Sequence, residues 1–264
     1  MKLGICGICG RMGIAILEVA LERGHELSAA FDAVESPCAG KDVNTLIHGN
    51  PLGINVEPIN EKQMKESDCI IDFSTPRATM QLLDAAVKAG TPLVIGTTGF
   101  TDTEKKKIED AAKKIPVVFA PNMAVGVNML FKLTEVASKA LGPEFNVEIV
   151  ESHHRFKKDA PSGTAKRLVE IVKDNMEGMA DAKEVTGRSG ITGERSDKEI
   201  GVMALRAGDI VGEHTVYFAG VGERLELTIR STSRENYARG AVLAAEFSGD
   251  KPARLFSMFD VLGL

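Results

Sequence analysis

Lys2-Leu3-Gly4-Ile5-Cys6-Gly7-Ile8-Cys9-Gly10-Arg11-Met12-Gly13 decides the fold: an apolar run ends in three evenly spaced glycines, and a helical pattern begins at once. Lys2 to Ile8 reads as a strand, and the segment to about Arg23 carries Met12, Ala15, Ile16, Val19 and Ala20 at helical spacing. The pattern is G-x-x-G-x-x-G, a dinucleotide fingerprint with its middle glycine displaced by one. Such a turn needs bare backbone that a pyrophosphate can approach and helix N-terminal amides aimed at negative charge. Taken alone, glycines after a strand make a weak motif. A second strand, Glu26 to Phe31, ends at Asp32, about twenty residues on, where a carboxylate suits the adenosine ribose hydroxyls. Ala33 brings no guanidinium for a ribose 2'-phosphate and Asp32 repels one, so NADH is acceptable. Arg11 and Lys41 leave NADPH open.

The same grammar continues outward. Cys69-Ile70-Ile71-Asp72-Phe73 is a third strand; a helix then runs to about Ala89, with Thr75 as cap, Pro76 in the first turn and Gly90 as stop. Pro92 to Ile95, a helix from Asp102 to Lys114, and Pro116 to Ala120 repeat the unit. Short, nearly continuous apolar strands separated by helices imply a parallel sheet covered on both faces, a Rossmann-like α/β domain. In such sheets ligands lie at the C-terminal ends of strands. The candidate cofactor contacts are therefore Gly7 through Met12, Asp32, Gly96-Thr97-Thr98, and Ala120-Pro121-Asn122-Met123.

Beyond Asn122 the pattern becomes α+β. A helix over Val125 to Leu141 leads to a strand from Asn146 to Ser152; Val202 to Arg206, Ile210 to Ala219 and Arg224 to Ser231 follow as further strands. In the last, Leu225, Leu227 and Ile229 alternate with Glu226, Thr228 and Arg230, which predicts one buried and one polar face. Gly187 to Lys198, rich in Gly, Ser and charge, reads as a mobile loop, and Arg234 to Phe247 as a helix returning to the first domain. The expected division is 1–123 with 234–264 as the dinucleotide domain, and 124–233 as a substrate-binding and oligomerisation domain with a mixed sheet.

Composition narrows the class. The chain has 264 residues, 44% hydrophobic, with a net charge of -5 and no long basic run, so a nucleic-acid binder's electrostatic footprint is missing. The lysines from Lys105 to Lys114 alternate with acids and read as a solvated face. No apolar stretch approaches a membrane span and the start is too short for a signal peptide, which suggests a cytoplasmic protein. Cys6-Gly7-Ile8-Cys9 is formally a C-x-x-C, but Cys38 and Cys69 stand far off in sequence, so small apolar packing is the expectation, with a redox role for Cys9 less favoured. H-E-x-x-H is absent and no acidic ligand set flanks the paired histidines, so no metal is expected.

Glu151-Ser152-His153-His154-Arg155-Phe156-Lys157-Lys158-Asp159-Ala160-Pro161-Ser162-Gly163-Thr164 puts two imidazoles and two ammonium groups just before a helix start. Neighbours in a strand face opposite ways, so the two histidines share a pocket only if the strand ends there. Ala165, Leu168, Val169 and Val172 set the helical period, so Ser162 or Asp159 caps a helix whose first amides can receive a carboxylate. His214 reads as ordering the second sheet, and His25, His48 and Lys158 as exposed.

On these residues, together with Arg11-Met12, Gly96 to Gly99, Asn122 to Asn128 and Gly212-Glu213-His214-Thr215, the chain resembles the 4-hydroxy-tetrahydrodipicolinate reductases along essentially its whole length. Cys9 and Ala33 depart from the usual family pattern. The resemblance implies NADH- or NADPH-dependent reduction of a cyclic dicarboxylate imine to tetrahydrodipicolinate, in the diaminopimelate route to lysine. It implies His153 as proton donor or acceptor, Lys157 as second donor, and His154, Ser162, Gly163 and Thr164 as carboxylate binders. It also implies a homotetramer joined through the substrate-domain sheet. Two other readings compete: another NAD(P)-dependent amino-acid dehydrogenase, which would oxidise a linear substrate, and a silent dinucleotide sensor, which has no use for Lys157 near His153.

Overall fold

The computed structural model describes residues 1–264. In chain order the elements are β1 (Lys2–Cys6), α1 (Arg11–Glu22), β2 (Glu26–Phe31), β3 (Val56–Glu57), α2 (Glu61–Lys65), β4 (Cys69–Asp72), α3 (Pro76–Ala89), β5 (Leu93–Ile95), α4 (Asp102–Ala112) and β6 (Val117–Phe119). There follow α5 (Val125–Leu141), β7 (Asn146–His153), α6 (Gly163–Asn175), β8 (Lys183–Val185), β9 (Glu199–Arg206), β10 (Gly212–Ala219), β11 (Arg224–Ser231), α7 (Glu235–Ser248), β12 (Leu255–Phe256) and α8 (Met258–Leu262). They form two compact units, Met1–Val125 with Arg234–Leu264, and Gly126–Ser233.

The first unit is a seven-stranded sheet in the order β12-β6-β5-β4-β1-β2-β3, parallel throughout. Sheet growth reverses between β1 and β4, and the crevice beyond the strand ends at such a switch point is where ligands bind. The strands read as unbroken apolar runs because both faces are covered. Ile16 and Leu17 of α1 with Ala241 and Val242 of α7 belong to one core cluster; Leu82 of α3, Ile108 of α4 and Met64 of α2 belong to another. Local signals set the helix ends. Thr75 Oγ1 accepts from Ala78 N, Pro76 occupies the first turn, and Gly90 takes a left-handed φ of 76° that closes α3. His25, expected to be exposed, is instead largely covered: its Nε2 lies 2.7 Å from Glu246 Oε1, on the returning helix α7.

The second unit is a mixed sheet, β11-β10-β7-β9-β8, with β10 antiparallel to both neighbours and β7, β9 and β8 parallel. Helix α6 packs against β7 and β10 and buries Leu168, Val169, Ile171 and Val172. The alternation on β11 is present, but Leu225 is 40% exposed and Leu227 and Ile229 are half-buried, so the face expected to be covered is open in the single chain. On α5, Met129, Leu133 and Val136 are exposed in the same way. The Gly187 to Lys198 segment is a loop, as expected, and two of its arginines tie it to the sheet. Arg188 and Arg195 both reach Glu148 Oε1, at 2.8 and 3.0 Å, and Arg188 also reaches Glu199 at 2.7 Å. A bidentate guanidinium is a geometric clamp that glycine and serine content does not reveal.

Candidate active site

In the first unit the glycine turn lies where β1 ends beside β2: Gly7 N donates to Phe31 O at 2.9 Å, which brings Asp32 alongside. Gly7 has a φ of +79°, and a methyl group there would sit 2.4 Å from Phe73 O. At Gly13 a methyl would sit 2.3 Å from Gly7 O, so both positions exclude a side chain. Gly10, exposed, is the residue before α1. These residues border a cavity of 720 Å³, a size suited to a small-molecule ligand, lined by Gly7, Cys9, Gly10 and Asp32 on one side and by Ser74, Thr75, Arg77 and Gln81 on the other. Asp32 is held by Cys9 N and Ala33 N, each donating at 2.8 Å to a different oxygen. A bare turn, a free helix start and an oriented carboxylate fit the phosphates and ribose of a dinucleotide.

The other expected contacts divide. Arg11 is exposed, whereas Ile8 and Met123 bury their side chains in the core, leaving only main chain to a ligand. Gly96 to Thr98 follow β5 and Ala120 to Met123 follow β6, so both lie on the ligand edge of the sheet but outside the cavity. Thr97 is buried and donates to Asp72, a fully buried carboxylate that also accepts from the hydroxyls of Ser74 and Thr79. Burial pushes the Asp72 pKa up, and those three hydroxyls resist the shift. The wall from Ser74 to Gln81 was missed; its signal was the β4 to α3 connection at the switch point.

The cysteine expectation is corrected. Cys9 and Cys38 are joined in a disulfide, Cα to Cα 6.1 Å, while Cys6 and Cys69 are buried free thiols. The loop after β2 folds back over the glycine turn, so residues far apart in sequence meet.

In the second unit β7 alternates strictly, and Val147, Ile149, Glu151 and His153 share its buried face. His153 is the last strand residue, so the chain is released from the pleat at His154, as the pair required. Glu151 is wholly buried and fully engaged. Its carboxylate accepts from His153 Nδ1 at 2.6 Å, from Arg206 Nη1 and Nη2 at 2.7 Å each, and from Ser162 N at 3.0 Å. Burial alone would raise its pKa, but the bonds from Arg206, His153 and Ser162 outweigh it and hold Glu151 below the usual range. An ionised carboxylate only accepts, so Nδ1 carries the proton and Nε2 is left for chemistry. Gly212 faces that atom; a methyl there would stand 3.2 Å from Nε2. Burial lowers the His153 pKa, and Glu151 offsets only part of this.

His214 does more than order the sheet. It is buried, its ring centroid lies 5.2 Å from that of His153, and its Nε2 meets Ser162 Oγ at 3.0 Å. Burial and the neighbouring His153 lower its pKa to about 4. Ser162 also caps α6 by accepting from Ala165 N at 3.2 Å. With 2% exposure and its amide and hydroxyl committed, Ser162 is a joint of the site and presents no free group to a substrate. Lys157 Nζ pairs with Asp159 at 2.9 Å, leaving the capping role to Ser162 alone. His154 keeps a buried Nδ1 with no hydrogen-bond partner. Gly163 opens α6 with free space beside it, followed by Thr164. Glu151, Arg206 and His214 were not anticipated. The buried-face position of Glu151 was the available clue, because a buried acid demands partners.

Comparison with known proteins agrees along the whole length. Residues 1–123 match the family described as dihydrodipicolinate reductase, N-terminus, and residues 126–262 the one described as dihydrodipicolinate reductase, C-terminus. The 4-hydroxy-tetrahydrodipicolinate reductase of Cupriavidus pinatubonensis is 47% identical over 100% of both chains. That of Anaeromyxobacter dehalogenans is 48% identical over 100% of this chain and 98% of its own. Among solved structures, the dipicolinate-bound dihydrodipicolinate reductase from Paenisporosarcina sp. TG-14 shares the fold, with a TM-score of 0.76, 23% identity and 98% of each chain covered. An amine dehydrogenase from Mycobacterium smegmatis shares it more loosely, at a TM-score of 0.60 and 12% identity over 98% of this chain and 95% of its own. From its glycine turn to its last helix, the chain belongs to the dihydrodipicolinate reductase family.

Proposed function

We propose that this protein is an NADH- or NADPH-dependent 4-hydroxy-tetrahydrodipicolinate reductase of the diaminopimelate route, with His153 and Lys157 as its proton-handling pair. Full-length identity to reductases of that name supports the reaction. The observation that carries the residue roles is the His153 to Glu151 bond, which fixes the ring and keeps a proton on Nδ1, with no side chain at Gly212 to crowd Nε2.

The dinucleotide supplies a hydride when bound. Gly7, Gly10 and the start of α1 receive its phosphates and Asp32 its adenosine ribose; Gly96 to Thr98 and Ala120 to Met123 offer main chain, and Thr98 its hydroxyl, on the same sheet edge. The cyclic substrate carries two carboxylates. The start of α6 at Gly163-Thr164 and the unpartnered imidazole nitrogen of His154 receive them, with Ser162 shaping that turn. Reduction of the conjugated imine leaves negative charge along the enamine, which must be protonated. His153 delivers that proton from Nε2, and its lowered pKa makes the protonated ring a readier donor. Lys157 stabilises the developing charge as a fixed ammonium, oriented by Asp159.

The open apolar residues of β11 and α5 support assembly through the second unit's sheet, with a homotetramer as the proposed state. No helix is long and apolar enough to cross a membrane, and a cytoplasmic location is proposed.

The test mixes protein and NADH or NADPH with substrate made freshly from pyruvate and aspartate semialdehyde by the condensing synthase, and follows reduced-nicotinamide absorbance. Absorbance should fall, and His153→Gln and Lys157→Ala should each lower kcat by about a hundredfold or more with folding preserved. Unchanged turnover in both variants would refute the roles, and no consumption by wild type would refute the activity.

A further inference from the structure

We infer that the Cys9–Cys38 bond is a reversible thiol–disulfide site that sets dinucleotide affinity. Closed, it staples the loop after β2 to the glycine turn; reduced, it frees that loop and weakens binding. The inference rests on the dinucleotide reading of the 720 Å³ cavity.

The bond joins two parts of that cavity's wall. Cys9 lies in the turn, and its amide holds Asp32. Cys38 follows Val34, Glu35, Ser36 and Pro37, all of which line the cavity. Ser36 Oγ sits 3.4 Å from Cys9 Sγ and 3.9 Å from Cys38 Sγ, so the segment is gathered round the bridge. The Cα separation of 6.1 Å lies inside the range a disulfide spans without moving backbone. Asp32 N to Glu57 O at 3.1 Å and Gly40 N to Val56 O at 2.8 Å anchor the two ends of this loop on β3, and between them, apart from the bridge, the main chain makes local turn bonds such as Ser36 N to Ala33 O and Ala39 N to Ser36 O. A loop already fixed in the bound spacing costs less to order when ligand arrives. The cavity is open with the bond closed, so the closed state is the competent one.

The sulfurs differ in access. Cys9 is half-buried and borders the cavity, whereas Cys38 is 3% exposed. A thiolate of a small dithiol therefore attacks Cys9 Sγ; the bond breaks, and Cys38 leaves as a thiolate and takes a proton. The second thiol of the reductant then attacks the mixed disulfide and releases Cys9. The dithiol is oxidised to its own disulfide, and its two electrons reduce the pair. Glutathione disulfide runs the exchange backwards. By linkage, whatever factor the bond adds to dinucleotide affinity, bound dinucleotide adds to the bond's resistance to reduction.

The test measures NADH binding by fluorescence on full-length protein oxidised with glutathione disulfide or reduced with dithiothreitol, with thiols counted in each state. Cys6 and Cys69 are buried, so the native count should change by two. Reduction should raise the Kd by about threefold to tenfold, the scale of re-ordering one or two side chains. Cys38→Ser should show the weaker value in both states, and saturating NADH should slow reduction of the wild type. Cys38→Ala, checked by its melting curve, serves if serine disturbs the buried position. Equal Kd in the two states, a reductant effect that persists in the Cys38 variants, or failure of the pair to close under glutathione disulfide would each overturn the inference. Those outcomes leave the reductase reading intact, whereas absence of any binding of either NADH or NADPH in both states would sink both.

Discussion

Replacing Glu151 by Gln removes a fully buried negative charge and keeps its shape, so it isolates what the charge does for His153. Four N–H donors from three residues, His153, Arg206 and Ser162, converge on the carboxylate, and a neutral amide can satisfy only some of them while turning its own NH2 toward another donor. Losing one partner of a buried pair costs several kcal/mol. Arg206 keeps about a fifth of its side chain in water, so the expected loss of stability is about 3 kcal/mol, the low end of that range. Catalysis should suffer separately. One charge-assisted hydrogen bond is worth about 1.5 to 3 kcal/mol, so kcat/KM should fall about tenfold to a hundredfold. The direction of titration is also fixed. Burial lowers the His153 pKa and Glu151 raises it; without Glu151, burial, Lys157 and Arg206 all act downward. The imidazole C2 proton, followed by NMR in wild type and variant, should titrate at lower pH in the variant, and the alkaline limb of the kcat/KM profile, where the protonated donor is lost, should move down with it. A midpoint that stays put or rises, with kcat/KM within threefold of wild type on folded protein, would refute the positioning argument.

Three further outcomes are expected. Asp32→Ala should raise the Kd for NADH about tenfold and leave that for NADPH less affected, because it removes both a ribose acceptor and a charge that repels a 2'-phosphate; fluorescence titration with each dinucleotide reads the ratio. His214 has a folded pKa of about 4, below its ordinary 6.5, so the unfolded chain takes up the proton first as pH falls. Stability from this group is therefore present above pH 6.5 and lost between 6.5 and about 4, roughly 3 kcal/mol in all, and His214→Asn should flatten that part of a urea-stability profile. Gly13→Ala should cost about 1 to 3 kcal/mol in denaturant unfolding and weaken NADH, since its methyl meets the Gly7 carbonyl and backbone must move; an unchanged midpoint would mean that the turn is looser than described.

Much of the parallel sheet was legible because its strands and helices carry their own signals. The turn from Gly7 to Gly13 and the Thr75 and Gly90 ends of α3 are local devices, readable one at a time. The two-residue strands β3 and β12 and the five-residue helices α2 and α8 are too short to show a period, and they form because longer neighbours offer them a place. The catalytic candidates divide along the same line. His153, Lys157 and the start of α6 lie in one stretch of sequence, whereas Arg206 and His214 reach it through strand register. Arg206 stands opposite His153 on β9, and His214 opposite Glu151 on β10. Register between distant strands is a tertiary property, and so is the meeting of Cys9 with Cys38.

The sheet that carries the glycine turn is assembled from both extremes of the polypeptide. Strand β12 forms its edge, and α7 packs on β4 and β5. During synthesis, Gly126–Ser233 is contiguous and can condense as soon as it clears the ribosome. The segment Met1–Val125, although made first, must wait for Arg234–Leu264 to cover its apolar face. The earliest-made half is thus the last to be sealed, and a nascent chain stalled near Ser233 would expose that uncovered face to chaperones.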